Sequence, residues 1–323
     1  MSGLYLGIDT SNYKTSVAVI DSSNDTLFDR SEFLEVPEGK RGLRQSDAFF
    51  KHSVRLPDQI EELCASVDVK RVRAVGVSSR PRRVEGSYMP CFLSGVNTAR
   101  EIAALLGVPL YEFSHQEGHA AAIIEDPDAP IQDDGESLLF HLSGGTTEFL
   151  KCSRDEDGYA LDIIGGTLDI SIGQLIDRAG VAMGMPFPAG PYMDEASLAY
   201  TGRTGHVLPK IKITDGRFNL SGAETKLLRT IENSAEDERP ALIRELFDMI
   251  ASLLMASASS LAAEYNISTV FMAGGVASST YIRNKINTNA AGSSPRILFG
   301  KPSLSGDNAV GIARLARRKD SQQ

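Results

Sequence analysis

Two histidines, His115 and His119, stand four residues apart in the stretch SHQEGHAAA, with Glu117 between them. Residues at i and i+4 share one face of a helix, so both imidazoles can turn toward a single ion. The order is H-x-E-G-H. It differs from the metalloprotease H-E-x-x-H, in which a glutamate directly after the first histidine acts as general base. Two imidazoles do not complete a metal site, and Asp307, in LSGDNAVGIA at a strand-to-helix turn, is the best-placed third donor. Spacing alone leaves two outcomes open, an ion site or a pair of satisfied surface histidines.

Three small-residue turns carry the other candidate chemistry. In GIDTSNYKTS (from Gly7) and LSGGTTEF (from Leu142) an apolar strand ends in hydroxyls and bare backbone before the chain folds back as a second strand. Such turns cradle phosphates, because glycine lets the backbone approach and Ser or Thr adds donors. Either alone reads as a hairpin; both, at equivalent places in two halves, predict a paired phosphate clamp with Asp9, Thr10, Ser11, Ser143, Gly144, Gly145 and Thr146 at its turns. In VFMAGGVASS an apolar strand breaks at Gly274 and Gly275 into a helix start, with Ser279 a further candidate contact. That geometry suits a nucleoside lying on the backbone, or simply close packing of helix on strand.

The elements that must position these residues repeat once. The opening thirty-odd residues read as a three-stranded meander, followed by a helix over 49–65, the strand RAVGVSS, a helix over 91–106, the strand VPLYEFS and the helix carrying the histidines. SLLFHLSGGTTEFLKCSRDEDGYALDIIGG then copies the meander. A helix over 171–184, a Pro/Gly segment, a polar stretch to about 238, an apolar helix over 241–265 and a closing strand–helix–strand–helix series follow. Duplication and alternation predict an α/β fold of two lobes, 1–130 and 131–323, flanking a central nucleotide cleft.

Composition narrows the classes further. The chain has 323 residues, is 42% hydrophobic and carries a formal charge of −9, which suits a globular protein and disfavours broad affinity for nucleic acid. An RNA contact has to be local, and KRVRAVGVSSRPRR (Lys70, Arg71, Arg73, Arg80, Arg82, Arg83) is the segment that could make one, if it is not a solvated turn. Cys64, Cys91 and Cys152 lack any paired-ligand spacing and read as core thiols. No uninterrupted apolar run approaches the roughly 18 residues of a membrane span, and the N-terminus lacks a signal-peptide pattern, so the default expectation is a cytoplasmic protein without a membrane partner.

The ordered set GIDTS, HQEGH, LSGGTTEF, FPAGP, AGGVASS and GDNA resembles the TsaD family of tRNA threonylcarbamoyladenosine synthases, once described as O-sialoglycoprotein endopeptidases, over nearly the whole chain. The resemblance implies the duplicated actin, sugar kinase and heat-shock ATPase-like fold. It implies transfer of a threonylcarbamoyl group from its anhydride with AMP to a tRNA adenosine amine, with partner proteins of the tRNA-modifying complex. By motif, His115, His119 and Asp307 would ligate iron or zinc. Thr10, Ser11, Ser143, Gly144 and Gly145 would hold phosphate and acyl oxygens, and Asp177, Gly190, Gly274 and Gly275 the nucleoside of ATP, AMP or an acyl-AMP.

Departures from the family pattern concentrate at the first turn. The family's E-T-S-C-D-E-T is D-T-S-N-Y-K-T here, so Tyr13 and Lys14 replace an acidic pair, and Lys14 becomes a candidate phosphate-binding, catalytic cation. The helix LDISIGQLIDR keeps Asp169, Gly173 and Asp177 but has Ile170, Gln174 and Arg178 where the family has two acids and a lysine. Ser279 stands in place of an asparagine, and SRPRRVEGSYMP in place of a glycine-rich segment. These exchanges keep three classes in view: a metal-dependent threonylcarbamoyl or carbamoyl transferase, with the family's acceptor or an altered one; an ATPase or small-molecule kinase of the same fold; and a non-catalytic scaffold. His52 and His141 are further residues that could reach the site or serve structure.

Overall fold

The computed structural model describes residues 3–11, 13–35, 43–128, 135–290, 294–307 and 309–322. They form two compact units. The first comprises Met1–Gly135, Ser153–Leu161 and Gly306–Gln323, and the second Glu136–Cys152 and Asp162–Ser305. The expected lobe change at 130/131 lies outside the described residues. The closing segment, assigned by the sequence to the second lobe, packs with the first unit instead.

In the first unit, β1 (Leu4–Thr10), β2 (Lys14–Asp21), β3 (Thr26–Phe33), β4 (Val72–Arg80) and β5 (Leu110–Ser114) form a sheet in the order β3-β2-β1-β4-β5. β1 runs antiparallel to β2 and parallel to β4, which is parallel to β5. Parallel neighbours need crossover helices, and α1 (Gln45–Ser66) and α2 (Phe92–Leu106) precede β4 and β5 respectively. β1 is buried at every position, reading as an apolar run rather than an alternation, as expected of a strand covered on both faces. Leu6, Ile8, Val17, Val75, Val77 and Leu56 build its core. The unit is completed by α3 (His115–Ile124) and by α9 (Val310–Asp320), the last helix.

The second unit repeats the plan. β6 (Ser137–Leu142), β7 (Thr147–Arg154), β8 (Tyr159–Thr167), β9 (Arg217–Phe218), β10 (Thr269–Ala273) and β11 (Arg296–Phe299) are ordered β11-β10-β6-β7-β8-β9. As in the first sheet, the hairpin partner is antiparallel and the two crossover partners parallel, so the duplication expected from the sequence is present in the strand order. α4 (Ile172–Ala182), α7 (Arg239–Tyr265) and α8 (Thr280–Ala290) are where the sequence predicts helices. The Pro/Gly segment and the polar stretch up to 238 hold two more, α5 (Gly190–Ala199) and α6 (Ser221–Asn233). α7 lies in the one segment among the described residues long and apolar enough by length and composition alone to cross a membrane, a test that a buried core helix also passes. Leu242, Leu246, Ile250 and Leu254 on this helix lie in the unit's core beside Phe140 and Phe149.

Candidate functional site

Local sequence fixes the start of the histidine helix. Ser114 is the N-cap of α3, its Oγ accepting the Glu117 N–H at 3.2 Å, while Glu117 Oε2 accepts the Ser114 N–H at 2.8 Å and its hydroxyl at 2.7 Å. This capping box satisfies donors that a helix start otherwise leaves unpaired. Glu117 therefore serves α3 itself and is neither ligand nor base; its Oε1 takes the Tyr159 N–H, with Arg83 nearby.

With its first turn locked, α3 presents His115 and His119 on one side. Their Nε2 atoms lie 3.0 Å apart, and Asp307 Oδ1 lies 3.4 Å from His115 Nε2 and 3.2 Å from His119 Nε2. One ligand atom from each of the three lies within 4.8 Å of the others. Two glycines bring Asp307 there. A Cβ at Gly311 on α9 would stand 1.8 Å from the Gly118 carbonyl oxygen on α3, and a Cβ at Gly118 would stand 2.8 Å from Ile312 Cδ1. At Gly311 the clash would be with rigid backbone, so only a bare backbone there lets the helices cross this closely.

Around the trio the polar groups face inward. Ser11 Oγ donates to Asp307 Oδ2 at 2.6 Å. Asp9, fully buried on β1, has Oδ1 at 2.9 Å from His115 Nδ1 and accepts the Ser78 hydroxyl on the same oxygen. Burial opposes charge on His115, but Asp9 and Asp307 outweigh it and hold the imidazole well above the usual histidine range. Burial likewise resists ionisation of Asp307, and His115 and His119 overcome it, holding the carboxyl well below its usual range. Two imidazoles and a carboxylate converging where negative charge demands a cation form a donor set that fits iron or zinc.

The remaining first-turn residues separate. Thr10 is buried, its hydroxyl donating toward the Cys91 carbonyl at 3.2 Å and accepting the Gly95 N–H of α2 at 3.2 Å. Lys14 sets its ammonium over the Phe33 ring, 5.0 Å from the centroid, with Gly306 alongside. Tyr13 is exposed. His52 is fully buried between Thr15 Oγ1 at 2.8 Å and the Ser11 carbonyl at 2.7 Å, supporting the turn from behind. His141 sits on β6, in register with Glu148 and Ala273.

In the second unit a cavity of about 540 Å³ gathers five of the residues expected to hold a nucleotide: Gly144, Asp177, Gly190, Gly275 and Ser279. A Cβ at Gly144, Gly190 or Gly275 would meet no atom within 4 Å, so bare backbone faces open space at three points of its wall. Gly173 seats α4 against the β6–β7 turn, since a Cβ there would lie 2.5 Å from Gly144 Cα. Ser143 and Thr146 close that turn on each other, Ser143 accepting the Thr146 N–H on Oγ at 3.0 Å. They and Gly145 lie outside the lining. Gly274, at φ 104°, makes the strand-to-helix turn beneath it. Asp177 Oδ1 accepts the Ala189 N–H at 2.8 Å, and Ser279 donates to Asp194, whose carboxylate also caps α8 through the Thr280 and Tyr281 N–H groups. Sequence reasoning missed Asp194 and the apolar wall of Phe247, Ile176 and Val276; Phe247 sits in an apolar helix, where nothing distinguishes a wall from a core.

The basic segment is partly committed elsewhere. Arg83 pairs with Asp155 at 2.7 Å and Asp157 at 3.4 Å on the β7–β8 turn, and Arg73 with Asp320 at 3.4 Å. Arg80 reaches Ser79 Oγ.

The repeated sheets define the class: the chain has the actin, sugar kinase and heat-shock ATPase-like fold. Component A of the Acidaminococcus fermentans (R)-2-hydroxyglutaryl-CoA dehydratase superposes with a TM-score of 0.56 at 13% identity, covering 99% of each chain. A ROK family glucokinase from Streptomyces griseus gives 0.52 at 15%, covering 98% of this chain and 99% of its own. Within that fold, the chain belongs to the TsaD family, tRNA N6-adenosine threonylcarbamoyltransferase, whose sequence model matches residues 38–314. It is similar to the proteins of that name from Thermotoga neapolitana, 27% identical with 97% of this chain and 93% of the relative aligned, and Streptococcus suis, 28% identical with 97% and 91% aligned.

Proposed function

We propose that the protein is a metal-dependent, adenine-nucleotide-binding transferase that moves a threonylcarbamoyl group from its mixed anhydride with AMP to the exocyclic amine of a tRNA adenosine. The amine attacks the carbamoyl carbon, an N–C bond forms, the C–O bond to phosphate breaks, AMP leaves with the electron pair and one amine proton is lost. The observation that carries the reading is the convergence of His115 Nε2, His119 Nε2 and Asp307 Oδ1 in a member of this family.

His115, His119 and Asp307 would hold an iron or zinc ion, which supplies Lewis-acid polarisation of a ligand oxygen when bound. Ser11 orients Asp307 through its hydroxyl. In the second unit, Gly144, Gly190 and Gly275 offer backbone to the nucleotide, Ile176, Val276 and Phe247 an apolar wall, and Asp177 the carboxylate that accepts from ribose hydroxyls. With tRNA as acceptor the reaction belongs in the cytoplasm. The basic segment with Arg80, Arg82 and Arg83 is the local contact for RNA phosphates, and within it Arg83 is also engaged by Asp155 and Asp157.

Lys14 favours a second reading, nucleotide hydrolysis or phosphoryl transfer, because it puts a cation at the first hydroxyl-rich turn, with its ammonium over the Phe33 ring. One assay separates the two: formation of threonylcarbamoyladenosine on unmodified tRNA from synthetic threonylcarbamoyl-AMP, alongside magnesium-dependent ATP turnover, for the native protein and His119→Ala. Modification abolished by the substitution supports the transferase. ATP turnover indifferent to it, with no modification of tRNA, supports the second reading.

A further inference from the structure

Asp9 is the least exposed ionisable group beside the histidine pair, with 0% of its surface accessible. Burying a carboxylate is costly unless its oxygens are matched, yet Oδ2 has no hydrogen-bond partner, while Oδ1 serves both the Ser78 hydroxyl and His115 Nδ1 at 2.9 Å. A core position in β1, between Ile8 and Thr10, gives no packing reason for a charge; an apolar residue would fill it. The charge is explained by what it faces. His115 turns Nδ1 to Asp9 and Nε2 toward His119 Nε2 and Asp307 Oδ1, so the two ring nitrogens have separate duties.

We propose that Asp9 is a positioning residue for the metal centre: it holds the proton of His115 on Nδ1, fixes the ring plane, and leaves the Nε2 lone pair directed at the ion. This rests on the metal-centre reading above and goes beyond it, because Asp9 ligates nothing itself. A carboxylate accepting the second N–H of a ligating imidazole sets its tautomer and raises its basicity, and such partners are worth 10- to 100-fold in metal affinity. Ser78 completes the arrangement by donating to Asp9 Oδ1, which leaves the carboxylate nothing to give His115 but acceptance. The assignment also moves Asp9 from the substrate turn, where sequence placed it, to the ion.

The test is zinc(II) binding by competition with a chromophoric chelator, paired with long-range 1H–15N spectra of 15N-histidine protein, for the native chain, Asp9→Asn, Asp9→Glu and Ser78→Ala. With five histidines in the chain the imidazole signals are assignable by substitution. The expected result is a zinc-loaded native protein with His115 protonated on Nδ1, and a 10- to 100-fold weaker affinity in Asp9→Asn with that signature lost. An amide can turn its NH2 toward Nδ1 and force the proton onto Nε2. Asp9→Glu should recover part of the affinity, and Ser78→Ala, which keeps the carboxylate, should show a smaller loss. If Asp9→Asn fails to fold, Ser78→Ala carries the test alone. Native protein that takes up no zinc overturns the metal reading itself. Native protein that binds zinc, with folded variants unchanged in affinity and tautomer, overturns the role of Asp9 and leaves the metal reading standing.

Discussion

Gly311 on α9 and Gly118 on α3 meet backbone to backbone: a Cβ on the first would stand 1.8 Å from the carbonyl oxygen of the second. The contact lies between the helix that carries both histidines and the one that begins just after Asp307, so it sets the distance between the two halves of the ligand set. Gly311→Ala cannot be accommodated without parting the helices. The expected outcome is a loss of about 3 kcal/mol or more in stability, from overpacking at rigid backbone, and loss of stoichiometric metal. Thermal denaturation and elemental analysis of the same sample check both.

Ser11 donates its hydroxyl to Asp307. Removing its hydroxyl in Ser11→Ala leaves Asp307 Oδ2 without the donor at 2.6 Å. The expected cost is about 1 kcal/mol of stability and roughly 10-fold in metal affinity, measurable by chelator competition.

Nucleotide binding should be separable from metal binding. Gly173→Ala puts a methyl 2.5 Å from Gly144 Cα and from the Ser143 carbonyl oxygen, pushing α4 off the β6–β7 turn at the edge of the cavity. Calorimetry should show AMP affinity reduced at least about 10-fold while metal content is unchanged, because the trio and its supports belong to the other unit. Equal loss of both would contradict this division.

His52 gives the fold a pH dependence with a definite sign. Burial lowers its pKa from the usual histidine value. Above about pH 6.5 the ring is neutral folded or unfolded, and contributes nothing to the pH dependence. As pH falls below that value the unfolded chain takes up a proton that the folded one refuses, so stability declines down to the lowered folded pKa. The slope is at most about 1.4 kcal/mol per pH unit for one proton. Urea denaturation between pH 7.5 and 5.5 should show this decline in the native protein and a flatter profile in His52→Gln.

Arg83→Glu tests whether the basic segment is an RNA surface or a tie. With Asp155, Asp157 and Glu117 around it, reversal should destabilise the protein by about 1 kcal/mol or more, part of it from setting like charges together, since a partly exposed pair contributes up to about 1 kcal/mol. The salt dependence of tRNA binding should stay as in the native protein. Reversal of Arg80 or Arg82 should lower that salt slope.

Much of this was legible in the residues. The i, i+4 histidines, the GDNA turn and the two hydroxyl-rich turns sit on local patterns, and local patterns survive folding. What escaped depended on pairs distant in sequence. Asp9 and His115 are 106 residues apart, so no spacing rule links them, and Asp9 read as part of the turn that follows it. The ties of the Thr10 hydroxyl to Cys91 and Gly95 escaped for the same reason. α6 was missed although Ala223, Leu227 and Ile231 mark one buried face, because polar residues between them hid the period. α5 buries only Met193 and Ser197, too little to show one. α7 hid its membrane-like length because polar residues interrupt it, while its apolar side chains pack in the core.

The measurement that tests the account most directly is the metal content of the purified protein by elemental analysis, native against His119→Ala and Asp307→Ala. About one iron or zinc per native chain is expected, lost in both variants while they remain folded. Native protein without metal, or variants that keep it, would contradict the assignment of His115, His119 and Asp307 as the ligands.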